Sequence, residues 1–164
     1  MEMRRKDRQI TEVGEILAIL NQCKVCRLAM VDEGTPYIVP LNFGYTFAEG
    51  RLVLYFHSAK SGRKIDILRK NNSAVFEVDC EHRLVEGDIA CEYGFAFASV
   101  IGFGKISFLE TKEEKIHGLN ALMKHQTGTD REFHYEDARL MNVAVYKLAV
   151  GEFSAKRKVL PKKQ

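Results

Sequence analysis

Tryptophan is missing altogether, cysteine occurs only four times in 164 residues, and no apolar run exceeds FAFASVIGF. That run is far too short to cross a bilayer, which takes about 20 apolar residues, so no membrane partner is expected. The start, MEMRRKDRQI, is charged and lacks the apolar core of a signal peptide, which points to a cytoplasmic protein. In that compartment Cys23, Cys26, Cys80 and Cys91 are expected as thiols. The spacing CKVC invites a zinc reading, but a second well-spaced ligand pair is lacking: Cys80, His82 and Cys91 make only a loose set, and on a strand Cys23 and Cys26 would face opposite ways. No metal is expected. Nor is nucleic acid, because the net charge of +3 gathers mainly in the tail KRKVLPKKQ, with no basic stripe interleaved with aromatics. A Gly-rich dinucleotide fingerprint is also absent.

What remains is an ordinary globular composition, 46% hydrophobic and 29% charged. One domain of this length can bury about two-thirds of its unfolded surface without metal or disulfide. Thr11 is placed to cap a first helix whose stripe is Val13, Ile16, Leu17 and Leu20. KVCRLAMV, TPYIVPLNFGYTF and RLVLYFH then read as three antiparallel strands, with hairpins turning at Gly34 and Gly50. SAVFEVD is a fourth strand, and the charged segment from Cys80 to Tyr93 reads as a mobile loop. YGFAFASVIGFGKISFLE forms a strand or bent pair, with Gly102 and Gly104 where a barrel strand coils. Thr111 and Glu114 form a capping box for a helix with Ile116, Leu119, Leu122 and Met123 inside. NVAVYKLAVGEFSAK closes the chain as a last strand. Six or so strands with no βαβ alternation predict a mainly β fold with α, an antiparallel barrel flanked by helices in a single domain.

The stretch FHSAKSGRKIDILRKN raises an electrostatic question. Arg63 and Lys64 fall in the first turn of a helix, at its electropositive end, where each cation costs roughly a few tenths of a kcal/mol. Two answers stand side by side. Exposed charges are common there and Asp66 can compensate on the same face. Alternatively, free N–H groups, a capping hydroxyl such as Ser61 and the two cations make a phosphate cradle.

The motifs PYIVPLNFGY, LYFHSAKSGRKIDILRKN, SVIGFGK and EFSAKRK, in that order, resemble the FMN-binding split-barrel superfamily of pyridoxamine 5′-phosphate oxidase, and more narrowly its nitroimidazole-resistance branch. The resemblance spans about residues 3 to 158. It implies an antiparallel split β-barrel with FMN as cofactor. Arg63 and Lys64, with Ser61, would hold the FMN phosphate, and His57, Ser58 and Ala59 would run beside the flavin. Val39, Pro40, Leu41 and Asn42 would line the ring with their backbone. Ser99, Val100 and Ile101 would reach the cofactor from the second subunit of a homodimer, and Lys156 would lie near the ring.

The same resemblance implies a small-molecule substrate and His57 as a catalytic residue. The chain lacks the Arg- and Trp-containing closing segment of the oxidases, so the expectation shifts from vitamin B6 oxidation to an FMN-dependent oxidoreductase reducing a small acceptor such as a nitroimidazole. Four alternatives stay open. The domain could be a non-catalytic module for FMN or a related phosphate or tetrapyrrole ligand; it could have pyridoxamine 5′-phosphate oxidase-type activity; His57 could be a hydrogen-bonded rim histidine; Ser99 could be a small core residue and Asn42 an edge polar group.

Overall fold

Alternating burial along the strands winds one continuous antiparallel sheet around an apolar core. The computed structural model describes residues 3–159, so the last residues of the basic tail, 160–164, lie outside the described part. The strands are β1 (Gln9–Ile10), β2 (Val25–Asp32), β3 (Thr35–Asn42), β4 (Gly44–Ala48), β5 (Arg51–Ala59), β6 (Ser73–Val85), β7 (Gly94–Leu109) and β8 (Val143–Lys158). The helices are α1 (Val13–Gln22), α2 (Arg63–Lys70), α3 (Lys112–Thr127) and α4 (Asp137–Met141). The sheet order is β3-β2-β6-β7-β8-β5-β4, with β1 on β8. This is the expected split barrel, with more strands than the six or so read from the sequence.

Its two ends, β3 and β4, are consecutive in the chain. The expected single strand TPYIVPLNFGYTF is broken at Phe43, and that break is the split. Phe43 is fully buried. A Cβ at Gly44 would lie 2.3 Å from the Leu122 Cα, so the absence of a side chain there lets the backbone of α3 seat directly on β4. At the seam the Gln126 amide on α3 donates to the carbonyls of Lys24 (3.1 Å) and Phe43 (2.9 Å) and accepts from Asn42 (3.2 Å). Side chains thus satisfy backbone groups that no strand partner reaches.

The inner faces of the strands supply the main core, including Leu28, Phe43, Leu54, Phe56, Phe76, Val100, Tyr146 and Leu148. A second cluster, Tyr55, Leu109, Leu119, Leu140 and Val145, lies on the outer face beneath α3 and α4. Several local expectations change. Glu12, not Thr11, occupies the N-cap of α1, and its buried residues are Ile16, Ile19 and Leu20, with Val13 exposed. Cys23 ends α1 while Cys26 is on β2, and both thiols are buried, so the opposite-face argument does not apply. Much of the expected loop from Cys80 is strand: β6 continues to Val85, paired with Gly94 past a bulge after Cys80. In α3 the capping box forms as read, but Lys115, Gly118 and His125 join Leu119 and Leu122 in the buried set.

Candidate functional site: a slot between β3 and β5

β5 pairs with β8 as far as Ala59, opposite Val143, but with β4 only as far as Tyr55, opposite Gly44. Past Tyr55 its other edge has no strand partner among the described residues, because the chain that would continue β4 has turned away at Phe43 into β3. β3 in turn is the terminal strand of the sheet. The candidate slot is the break in the barrel wall between these two free edges, and an unpaired strand edge presents a row of N–H and C=O groups. Tyr37, Val39 and Leu41 turn inward from β3 and pack on the core, yet stay only half-buried. Pro40 and Asn42 face out, and the Asn42 amide is spent on the seam, where it also bonds the Lys24 carbonyl. From β5, Ser58 is half-buried and Ala59 exposed; the Ser58 hydroxyl donates to the Ala59 carbonyl. The Tyr146 hydroxyl is buried, and desolvation pushes its pKa up to about 12 against the opposing effect of the nearby Ser58 hydroxyl, which itself donates to the Ala59 carbonyl.

α2 begins at the end of the slot. Its N-cap is Gly62 at φ 126°, a conformation L side chains rarely adopt, and no side chain caps the helix. Ser61 is therefore not the cap expected from the sequence; it is exposed beside it. Arg63 and Lys64 part company. Arg63 ties down to the β2–β3 hairpin, with Nε 3.2 Å from the Asp32 carboxylate and its guanidinium 4.7 Å from the centre of the Tyr37 ring. Asp66 is not its partner. Lys64 is half-buried, has no hydrogen-bond or ion-pair partner among the described residues, and burial lowers its pKa. His57 has its pKa lowered by desolvation first and then by the Lys64 charge, which places the two close together.

Residues 57–59 thus lie on the free edge of β5 and lead into α2 with 63 and 64, 39–42 lie on the terminal strand β3, and Arg63 ties α2 to the β2–β3 hairpin. The remaining expected residues lie elsewhere in the sheet. Ser99 pairs with Lys156 across β7 and β8, while His57 pairs with Val145, which pairs with Leu109. The register positions 99 and 109 on β7 are separated by roughly 30 Å of strand. Val100 is fully buried in the core, so its side chain is not available to a ligand; Ser99 is also buried, and Ile101 and Lys156 are half-buried. The sequence reading missed Tyr37 and Asp32, which hold Arg63, and Gln126, which bridges the break between β3 and β4. Only Tyr37 carried a local signal, since TPYIVPLN alternates and puts it on the face of Val39 and Leu41.

Residues 12–157 match the family model described as pyridoxamine 5′-phosphate oxidase. A solved structure from Bacteroides thetaiotaomicron VPI-5482, provisionally assigned as a 5-nitroimidazole antibiotic resistance protein, is similar at 35% identity over 91% of this chain and 86% of that one, with a TM-score of 0.78. The flavocytochrome Anf3 from Azotobacter vinelandii shares the fold at 20% identity, covering 99% and 75% of the two chains, with a TM-score of 0.79. So does the FAD and heme binding protein from Mycobacterium smegmatis, at 21% identity over 96% and 77%, with a TM-score of 0.79. No curated protein matches the chain.

Proposed function

The chain belongs to the pyridoxamine 5′-phosphate oxidase family, and on that premise we propose that it is an FMN-dependent oxidoreductase that passes electrons to a small acceptor such as a nitroimidazole. The observation that carries the cofactor reading is Lys64. A half-buried ammonium without an anion, in the first turn of a helix, is unfavourable on three counts: lost solvation, the helix dipole and the nearby Arg63. A phosphate there answers all three, and the bonds it forms are charge-assisted and about twice as strong as neutral ones.

The residues fit a mononucleotide. Lys64 and the first N–H groups of α2 would take the phosphate, with Arg63 held alongside by Asp32 and Tyr37. The free edges of β3 and β5 would bond the polar rim of the ring, and Tyr37, Val39 and Leu41 would supply its apolar floor. Bound flavin supplies the electron transfer; the protein holds it, limits water and presents the acceptor. The alternative of vitamin B6 oxidation has no further support from these residues.

A homodimer is part of the proposal. Ser99, Ile101 and Lys156 are too far along β7 and β8 to serve their own slot, and would serve a second copy's. The outer sheet face supports this: Val31, Ile38 and Phe103 are exposed there, beside a hollow of about 630 Å³ lined by Ala29, Val75 and Pro36. The purified protein should be yellow and release FMN on denaturation. Lys64→Ala should weaken FMN about tenfold to a hundredfold, the loss of one charge-assisted bond, and leave riboflavin nearly unchanged. Protein that stays colourless with added FMN sinks the reading. Bound flavin that no acceptor reoxidises would make the domain a binding module.

A further inference from the structure

The CKVC pair has no part in the proposed flavin site, and Cys23 finds its partner outside that motif. Cys23 directly follows the last residue of α1 and is buried. Cys80 is half-buried, the last residue of β6 in register with β7 before the bulge, opposite Ala98. The two thiols touch: the Cys23 S–H donates to the Cys80 sulfur. The Cys80 S–H in turn donates to the side-chain oxygen of Gln22 at 3.4 Å. Gln22 and Cys23 are neighbours in the chain, so both contacts seat Cys80 on the end of α1.

The elements that carry the two thiols are clamped together. Arg157 on β8 meets both carboxylate oxygens of Glu81, the residue after Cys80, at 2.9 and 3.0 Å, and reaches Glu15 on α1 at 2.6 Å. The bulge, where Glu81 has φ 61°, is thereby fixed against α1 beside the thiol pair. The other cysteines are placed differently. Cys26 lies near Cys23 but is fully buried in the core from β2, out of reach of an oxidant in solvent. Cys91 is exposed in the connection between β6 and β7.

We infer that Cys23 and Cys80 are a redox modification site, which closes to an intramolecular disulfide when the protein meets hydrogen peroxide and reopens with a dithiol reductant. Cys80 is the attacking sulfur, because it is the more exposed and the Cys23 S–H supports its thiolate. It takes one oxygen as the O–O bond breaks, giving a sulfenic acid and one water. The Cys23 sulfur then displaces the hydroxyl group, the S–S bond forms, and the hydroxyl leaves with the Cys23 proton as a second water. Two thiols thus lose two electrons and two protons to one peroxide.

The reaction is slow at neutral pH. Desolvation pushes Cys23 up to about 12 and also raises Cys80, where the Cys23 bond and Arg157 oppose the rise while Glu81 and Asp79 add to it. Closure should therefore be faster at pH 8.5 than at pH 7, as the Cys80 thiolate fraction grows.

The test uses the full chain with Cys91→Ser, which removes the exposed thiol that would link separate molecules. The protein is exposed to a small excess of hydrogen peroxide at both pH values, alkylated with N-ethylmaleimide and mapped by mass spectrometry of unreduced peptides. A Cys23–Cys80 cross-link at least tenfold more abundant than any other pairing, and lost on treatment with dithiothreitol, is expected. Cys23→Ala should leave Cys80 as a sulfenic acid that dimedone captures. A Cys23–Cys26 link as the main product overturns the inference. So does a Cys80 that stays reduced, or one that passes to sulfinic acid without a cross-link while Cys23 is present. Closure needs no flavin, so these outcomes are independent of whether FMN binds.

Discussion

One amide closes the seam where β3 leaves β4. Gln126 donates to the Lys24 and Phe43 carbonyls and accepts from Asn42, so it bridges the point where β3 leaves β4. Gln126→Ala removes all three bonds. At about 0.5–1.5 kcal/mol each the loss would reach 1.5–4.5 kcal/mol, but the Asn42 amide still serves the Lys24 carbonyl at 3.1 Å. About 2 kcal/mol is therefore expected, a fall in Tm of about 4–8 °C for a chain of this size. Gln126→Glu is the sharper test. It keeps the shape and the acceptor for Asn42, but sets a carboxylate against two carbonyl oxygens. It should be less stable than the alanine variant at pH 7, and recover part of the difference near pH 4 as the carboxyl is protonated. Urea denaturation measures the stability order, and an FMN titration of each variant measures whether the slot still closes on the ring. Both variants should lose FMN affinity, and riboflavin affinity should fall in parallel, because the damage is to the ring's walls and not to the phosphate cradle. A glutamate variant as stable as the wild type would refute the account of the seam.

Gly44→Ala should destabilise by about 3 kcal/mol or more, the upper end for overpacking, because the new methyl meets the Leu122 backbone at 2.3 Å and backbone cannot rotate away. An unchanged thermal midpoint would show that α3 does not seat there. Stability should also fall with acid. Buried His125 has its pKa lowered below the ordinary 6.5, mainly by desolvation; a bond to the Cys23 carbonyl opposes this and the Lys24 charge adds to it. The unfolded chain therefore takes up the proton first, and the stabilisation is complete above about pH 6.5 and lost as pH falls below it, by at most about 1.4 kcal/mol per pH unit. His125→Phe should flatten that slope between pH 7 and 5. An equally steep slope in the variant would remove His125 from the explanation.

The sequence determined a good deal by itself. Alternation in KVCRLAMV, RLVLYFH and SAVFEVD marks strands because a half-buried strand repeats every two residues. Hairpins were legible at Gly34 and Gly50; the structure adds positive φ at Glu33 and Glu49 as well, so both two-residue turns have the backbone that a type I′ turn requires. The capping box of α3 was equally local. The order of four motifs also placed the slot-side residues 57–59, 63 and 64 together, because they are contiguous in the chain.

Tertiary structure decided the rest, and each instance has the same cause: a partner distant in sequence. TPYIVPLNFGYTF reads as one strand, yet α3 pressing on Gly44 breaks it and creates the slot. Arg63 and Lys64 look alike as neighbours in a helix turn, but Asp32 and Tyr37 claim the first and leave the second without an anion. Lys115 reads as an exposed helix lysine until the carbonyls of Leu140 and Val143 bury it. Periodicity reports which face of an element turns inward. It carries no record of which distant residue arrives to pair a charge, satisfy a carbonyl or push a strand off its course.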